Sequence, residues 1–442
     1  MNKSMLYTGS YNTPVLTGDG TVYQGNGGGI VVYSLDEEKG LLEEKYRYSQ
    51  VENASWMVFS QDRRTLYAVN ELDDYEGTKG GAVSAYSVDE QGGLTLLNRL
   101  PVMGAAPCHV DHWRRDNAEE KRGGGDGERK DGESQSACEM VFTANYNGGN
   151  ASIFRTAPDG SLAGLAGQIC HRFGEKQDSE ENKASERNQD SFLNPYPRRD
   201  PVRQEKPHVH STAVCDGYLW ITDLGMDEVS VYRLDGGQER CSRDANTSRD
   251  VFASREKQAE NGPERKNART PEAAISFPAG SGPRSIAFGK KGADGIRSVY
   301  ITCELSNEIA VLCWDMHRPA CEISMIERVS ALPEKNGQNP IRSSIASAVL
   351  SPDGRFLYAG NRGHDSIAVF ETRPDGRLCP VQWIPSGGSS PRGIQISPSG
   401  KWLLAANQNS DSLVIFQRDA ETGRLTQSRI YRAGAIVCLE FL

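Results

Sequence analysis

The sequence predicts an all-β fold, a seven-bladed β-propeller of four-stranded blades whose ring is closed by pairing the N- and C-terminal strands in one blade. Three observations carry this. One strand–break–strand formula recurs along the chain. Its spacing from Asn361 to Asn407 is 46 residues, the length of a four-stranded propeller blade. Where the spacing is longer, the excess lies in three tracts almost without aliphatic residues, near 114–136, 174–206 and 236–270.

The elements follow in chain order. "MLYTGSY" near the start is an apolar strand, and "GGGIVVYSLD" is its hairpin partner. "RTLYAVNE" (64–71) repeats it, and "MVFTANYNGGNASIF", "YLWITDLGMDEVSVYRL" and "SVYITCELSNEIAVLCW" are looser copies. "RFLYAGNR" (355–362) and "KWLLAANQ" (401–408) complete seven. In each, an apolar strand ends in a polar break, an alternating strand such as "SIAVF" follows, and a turn such as "PDGRL" or "ETGRL" closes the unit. Short strands bounded by Gly, Pro, Asn and Asp are hairpin signals. "AIVCLEFL" (435–442) is a strand with no hairpin partner after it, and "MLYTGSY" has none before it. Pairing the two removes the open edges. The chain, 1–442, then reads as a single propeller domain. The three tracts are charged and rich in Gly, Ser and Asn, so they cannot repay the entropy of ordering and are expected as mobile insertions between strands.

Bulk properties narrow the function. The formal net charge is −9 over 442 residues, which argues against nucleic acid or an anionic membrane as partner. No stretch reaches the ~18 apolar residues of a membrane span, and the start lacks a signal-peptide core. Ten cysteines are scattered singly without a CxxC pair, which predicts reduced thiols in a cytoplasmic protein. No cofactor and no metal site is expected, and the oligomeric state is expected to be a monomer or weak homodimer.

The polar breaks carry the chemistry. In a propeller the innermost strands line a central channel, so residues at their ends converge although they lie far apart in sequence. "APCHV" supplies Cys108 and His109, "KPHVHS" His208, His210 and Ser211, and "GSGPRS" Arg284. "TCELSNE" supplies Glu304 and Asn307, "GNRGHDS" Asn361, Arg362, His364 and Asp365, and "SSPRGI" Arg392. PCH, PHVH, GPR and SPR precede a strand with the same phase, each placing His or Arg after a proline. Five of seven histidines, His112 included, fall in or beside these stretches. Taken singly each has an ordinary reading: a capped strand end, an inter-blade ion pair, or, for Asn70, Asn361 and Asn407, a hairpin tie. His208 and His210 alternate, so at most one faces the channel. "GDGTVYQGNGGG" (18–29) lacks the lysine and helix of a phosphate loop and reads as a blade loop. Together the set suits an anionic substrate with a carbonyl. Arginine binds phosphate or carboxylate through its planar fork and stabilises an oxyanion. A carboxylate and an imidazole move protons.

"PHVHS", "GPRSIAF", "ELSNEIAV", "SPDGRFLYAGNRGHDSIAVF" and "SPRGIQISPSGKWLLAANQNSD" together resemble the seven-bladed propeller lactonases, which include propeller-type 6-phosphogluconolactonases and carboxy-cis,cis-muconate lactonizing enzymes. The resemblance spans the chain outside the three tracts. It implies a metal-independent cytosolic hydrolase opening 6-phospho-D-glucono-1,5-lactone to 6-phosphogluconate. It also implies a catalytic set of His210 (or His208), Arg284, Glu304 and Arg362. The convergent stretches themselves add His208, His109, His364, Arg392 and Asn361 as expected substrate-binding residues. Two departures stand out: Ser285 follows Arg284 where many relatives carry His, and Val209 replaces proline between the histidines. The alternatives are a muconate-type cycloisomerase, another anionic or sugar lactone hydrolase, and a non-catalytic interaction scaffold. A calcium-dependent six-bladed lactonase is disfavoured, because the channel stretches supply basic groups rather than carboxylates.

Overall fold

The computed structural model describes residues 3–18, 20–115, 139–172, 200–234, 270–333 and 342–442. They form seven four-stranded antiparallel sheets arranged in a ring. From the inside out, the first blade is Ile436–Phe441, Lys3–Ser10, Ile30–Asp36 and Leu41–Tyr48. The expected closure is present: Leu6 pairs with Phe441 and Thr8 with Leu439. The inner strands of the other six blades are Ala54–Phe59, Pro107–Arg114, Val209–Cys215, Pro283–Lys291, Ser344–Leu350 and Pro391–Ile396. Each contacts the inner strand of the next blade, and Ile436–Phe441 bridges the last to the second. The core lies between blades, as in the cluster of Trp220, Val231, Ile301 and Trp314.

The glycine turn that closes the repeated unit has a partner in the neighbouring blade. A tyrosine sits in the second strand of four blades, and its hydroxyl donates to the carbonyl of a turn glycine in the following blade. The pairs are Tyr7 to Gly92, Tyr67 to Gly160, Tyr300 to Gly376 and Tyr358 to Gly423, at 2.7–3.0 Å. These glycines, from "EQGG", "PDGS", "PDGR" and "ETGR", have φ between +69° and +86°, a conformation glycine adopts without a Cβ penalty. Buried tyrosine thus finds its polar partner across the blade interface.

Residues 116–136, 174–199 and 236–269 of the three expected insertions lie outside the described residues. The last part of the second tract differs from its reading as a polar loop apart from the fold. Residues 200–206 form a turn in which Asp200 Oδ1 accepts from the backbone N–H groups of Val202 and Arg203. Gln204 Nε2 donates to the Leu224 carbonyl at 2.8 Å. Local side-chain bonds rather than apolar burial hold this turn, which composition does not reveal. Among the described residues no helix is long and apolar enough to cross a membrane.

Candidate active site

Two positions per blade converge at one end of the channel. The first is a β-bulge at the start of each inner strand. Ser55, Cys108, His210, Arg284, Arg392 and Val437 are skipped by the ladder, and Ala346 and Ser347 in the sixth blade. A bulge bends its strand and re-aims a side chain. The second position is Tyr11, Glu71, Tyr146, Leu224, Glu304, Arg362 and Gln408. Each directly follows the residue that pairs with the first residue before the bulge. Cys108, His210 and Arg392 of the first set and all of the second but Leu224 line a cavity of about 510 Å³. The short hairpin of Val15–Leu16 and Val22–Tyr23, with Arg203 and residues 342–344, completes its wall. The Gly-rich 18–29 stretch thus contributes a wall of the cavity through Gly18, Thr21, Val22 and Tyr23.

Glu304 lies at the centre, only 2% exposed. Its Oε1 accepts a 2.7 Å hydrogen bond from Arg203 Nη2. Its Oε2 stands 2.9 Å from Arg284 Nε and 3.0 Å from Arg362 Nη2. Neither of those N–H groups is aligned for a hydrogen bond, so Oε2 is held by charge and keeps its accepting capacity. His210 Nε2 is 3.8 Å from the same oxygen. Burial raises the proton affinity of Glu304, but Arg362, Arg203 and Arg284 outweigh it and hold the carboxyl well below the usual range. Burial, helped by Arg284, holds His210 neutral, well below the ordinary imidazole value. Burial and the neighbouring Arg362 push Arg284 down to about 10. The site therefore presents an ionised carboxylate and a neutral imidazole among cations.

A second group faces it. Tyr11 donates to Glu71 Oε2 at 2.8 Å. Arg392 lies 3.9 Å from that oxygen and over the Tyr11 ring at 5.4 Å. Tyr146 accepts from Arg203 Nε at 2.9 Å, and its ring stacks on His208 at 4.3 Å. Cys108 Sγ approaches the His210 carbonyl at 3.3 Å and Nδ1 at 3.8 Å. Burial pushes this thiol up, so it stays protonated.

Of the expected residues, His210, Glu304, Arg362 and Arg392 line the cavity. Arg284 touches Glu304 but is itself 3% exposed and does not line it, so it positions the carboxylate. The other four lie outside the cavity wall. His208 is buried with both ring nitrogens engaged, Nδ1 by the Tyr146 carbonyl and Nε2 by Glu205. His109 stacks on Trp56, and burial, with Arg284, pushes its pKa down to about 3. His364 Nδ1 is 2.7 Å from Ser366 Oγ. Asn361 is fully buried and donates to the Ala331 carbonyl, as Asn70 does to Glu52 and Asn407 to Ser386. Each bond ties a second strand to the segment that leaves the preceding blade, so these asparagines join neighbouring blades rather than the hairpins expected from sequence. The alternation of His208 and His210 resolves in favour of His210. Four residues escaped the sequence reading: Arg203, Tyr146, Tyr11 and Glu71. The last three occupy the position of Glu304 and Arg362 in their own blades. Among the described residues no group of three or more His, Cys, Asp and Glu is placed to hold a metal ion.

Comparison with known proteins matches the model of the family described as lactonase, 7-bladed beta-propeller, over residues 5–117, 132–255 and 259–441. The chain is 30% identical over 411 residues to the 6-phosphogluconolactonase of Bacillus subtilis, covering 92% of each chain. Among solved structures it resembles the periplasmic gluconolactonase of Pseudomonas aeruginosa at 26% identity and a TM-score of 0.69. That match covers 100% of this chain and 99% of the other. A Lactobacillus plantarum protein, at 24% identity and a TM-score of 0.70 over the whole of both chains, shares the fold.

Proposed function

The chain belongs to the seven-bladed β-propeller lactonase family, and from that premise we propose that it hydrolyses the ring ester of an anionic sugar lactone, 6-phospho-D-glucono-1,5-lactone, to 6-phosphogluconate. One observation carries the reading. An ionised carboxylate and a neutral imidazole, 3.8 Å apart, face one cavity together with arginines. Water attacks C1 of the lactone. Arg362, with Arg203 and Arg392 also lining the cavity, stabilises the carbonyl oxygen as it becomes an oxyanion. Glu304 and His210 both enter without the proton they must deliver. The proton given to the ring oxygen when the C1–O5 bond breaks is therefore the one taken from water, received by Glu304 or His210 and passed on. Arg284 holds Glu304 in place. Guanidinium groups supply the positive charge that a metal supplies elsewhere, so activity is expected to survive exhaustive dialysis against a chelator. The eight described cysteines are free, and we place the activity in the cytoplasm.

The test is hydrolysis of freshly made 6-phosphogluconolactone coupled to 6-phosphogluconate dehydrogenase, with spontaneous opening subtracted and D-glucono-1,5-lactone run in parallel. A rate well above background on the phosphorylated lactone is the expected result. A rate equal to buffer on both lactones refutes the reading.

A further inference from the structure

Four arginines near the cavity have partners. Arg203, Arg284 and Arg362 are drawn to Glu304, and Arg392 to Glu71 and the Tyr11 ring. A fifth, Arg342, lines the same cavity from the segment leading into the sixth blade. It is exposed, and among the described residues its guanidinium makes no hydrogen bond or ion pair. Its backbone is nonetheless fixed. Ser343 Oγ donates to the Arg362 carbonyl at 3.1 Å, and Ser344 pairs with Arg362 across the ladder. On the other side Gly363, at φ +95°, packs so closely that a Cβ there would stand 2.3 Å from the Arg342 carbonyl oxygen. An exposed side chain thus starts from a backbone held in place on the cavity wall. The charge balance asks for a partner. In a chain of net charge −9, four arginines (203, 342, 362 and 392) line the cavity with only Asp200, Glu71 and Glu304, and buried Arg284 adds a fifth positive charge behind Glu304. That leaves two positive charges in excess, the charge of a phosphomonoester dianion.

We propose that Arg342 is the phosphate-binding and specificity-determining residue of this cavity, holding a phosphomonoester at the mouth while the inner arginines take the carbonyl end. The inference rests on the lactone reading for its substrate but concerns recognition rather than turnover. A guanidinium fork binds phosphate through two parallel N–H···O bonds, and Arg342 is the arginine that can turn to it without abandoning an internal carboxylate.

The experiment compares Arg342→Ala with wild type by calorimetric binding of 6-phosphogluconate and of gluconate, alongside KM and kcat for the two lactones. Loss of Arg342 is expected to weaken 6-phosphogluconate about tenfold or more and gluconate far less, and to raise KM for the phosphorylated lactone. Arg342→Lys is expected to recover part of the difference, because the point charge remains and the fork does not. Equal weakening of both ligands, or of neither, overturns the assignment, as does a wild type that binds 6-phosphogluconate no better than gluconate. Binding needs no turnover. A protein that opens neither lactone but discriminates the two acids through Arg342 refutes the hydrolase reading and leaves the phosphate site standing.

Discussion

Glu304→Gln separates chemistry from packing. Glutamine keeps the volume and the oxygen that accepts from Arg203 at 2.7 Å, but removes the charge facing Arg284 at 2.9 Å and Arg362 at 3.0 Å. Two costs follow. Loss of a group that accepts the proton of water lowers the rate by ~10²–10⁴, or about 3–5 kcal/mol of barrier. Removing one partner of a buried ion pair costs about 3–5 kcal/mol of stability, toward the lower end here because Arg203 and Arg362 are each 17% exposed and water relieves them. The cavity meanwhile gains a unit of positive charge, so affinity for an anionic lactone does not fall. The expected signature is a lower Tm, a kcat reduced a hundredfold or more, and a KM that stays level or drops. Thermal denaturation reads the first, and the coupled dehydrogenase assay, run well below the variant's Tm, reads the other two. A folded variant that keeps kcat within about tenfold of wild type, or whose whole loss appears in KM, refutes a proton-accepting role for Glu304.

The remaining predictions concern titration and the thiol. With Glu304 and His210 both held in their proton-accepting forms, kcat/KM for D-glucono-1,5-lactone, which lacks the titrating phosphate of its phosphorylated counterpart, is expected to be level from about pH 5 to 8 after background subtraction. Any acid limb is expected at higher pH in kcat than in kcat/KM; a bell centred on an apparent pKa near the ordinary imidazole value contradicts this. Cys108→Ser is expected to lose less than about tenfold in kcat, where loss of a covalent nucleophile costs on the order of 10⁶, because burial keeps the thiol protonated. A loss of the larger size makes Cys108 a nucleophile and the water mechanism wrong. Glu440 meets Gln395 Nε2 at 3.4 Å, and burial, opposed by Arg63, pushes its pKa up to about 8. The folded state then binds its proton more tightly than the unfolded chain. This contribution is full below about pH 4.3 and is lost as pH rises toward 8. Glu440→Gln is expected to match wild type in Tm at pH 5 and exceed it at pH 9; parallel Tm curves across that range count against it.

The ring, its blade count and its closure were legible because each rests on a repeated local pattern. Apolar runs of fixed phase and a glycine turn recur at blade spacing, and the structure adds a second-strand tyrosine that bonds the turn of the next blade. The bulge position was legible at His210, Arg284 and Arg392, because proline or histidine marks the strand start there; in the PCH stretch the reading fell on His109, one residue beyond Cys108. The second position was read only where its residue was charged and followed a familiar break, as at Glu304 and Arg362. Glu71, Tyr146 and Tyr11 share that position, but aromatic residues and a carboxylate after Asn or Ser look like strand ends until all seven blades are aligned. Arg203 was hidden for another reason. It stands at the end of a charged tract, and only the Asp200 turn and the Gln204 anchor separate it from that tract. His208, His109 and His364 erred the other way, since residue type and proximity in sequence do not show which side of a strand faces the cavity.

One feature of the site resists a purely structural explanation. Neutralising a carboxylate takes one cation, and burying several charges is at best neutral for stability compared with packed apolar groups. Glu304 has three arginines. Their combined field also makes it a weak base in the empty cavity, which sits badly with a proton-accepting role if nothing changes on binding. An anionic ligand changes it. Arg203 and Arg362 line the cavity and can share their donors with the lactone carbonyl and its developing oxyanion, whereas Arg284, buried and off the cavity wall, cannot. Each donor drawn toward the ligand weakens the field that depresses Glu304, and its proton affinity rises toward the ordinary carboxylate range. The excess of arginine then has a use that structure alone does not give it. Arg203 and Arg362, which take the carbonyl end, are also among the cations that silence the base, so the base gains strength when substrate is in place. This is why the acid limb of kcat, which reports the occupied site, is expected above that of kcat/KM, which reports the free one.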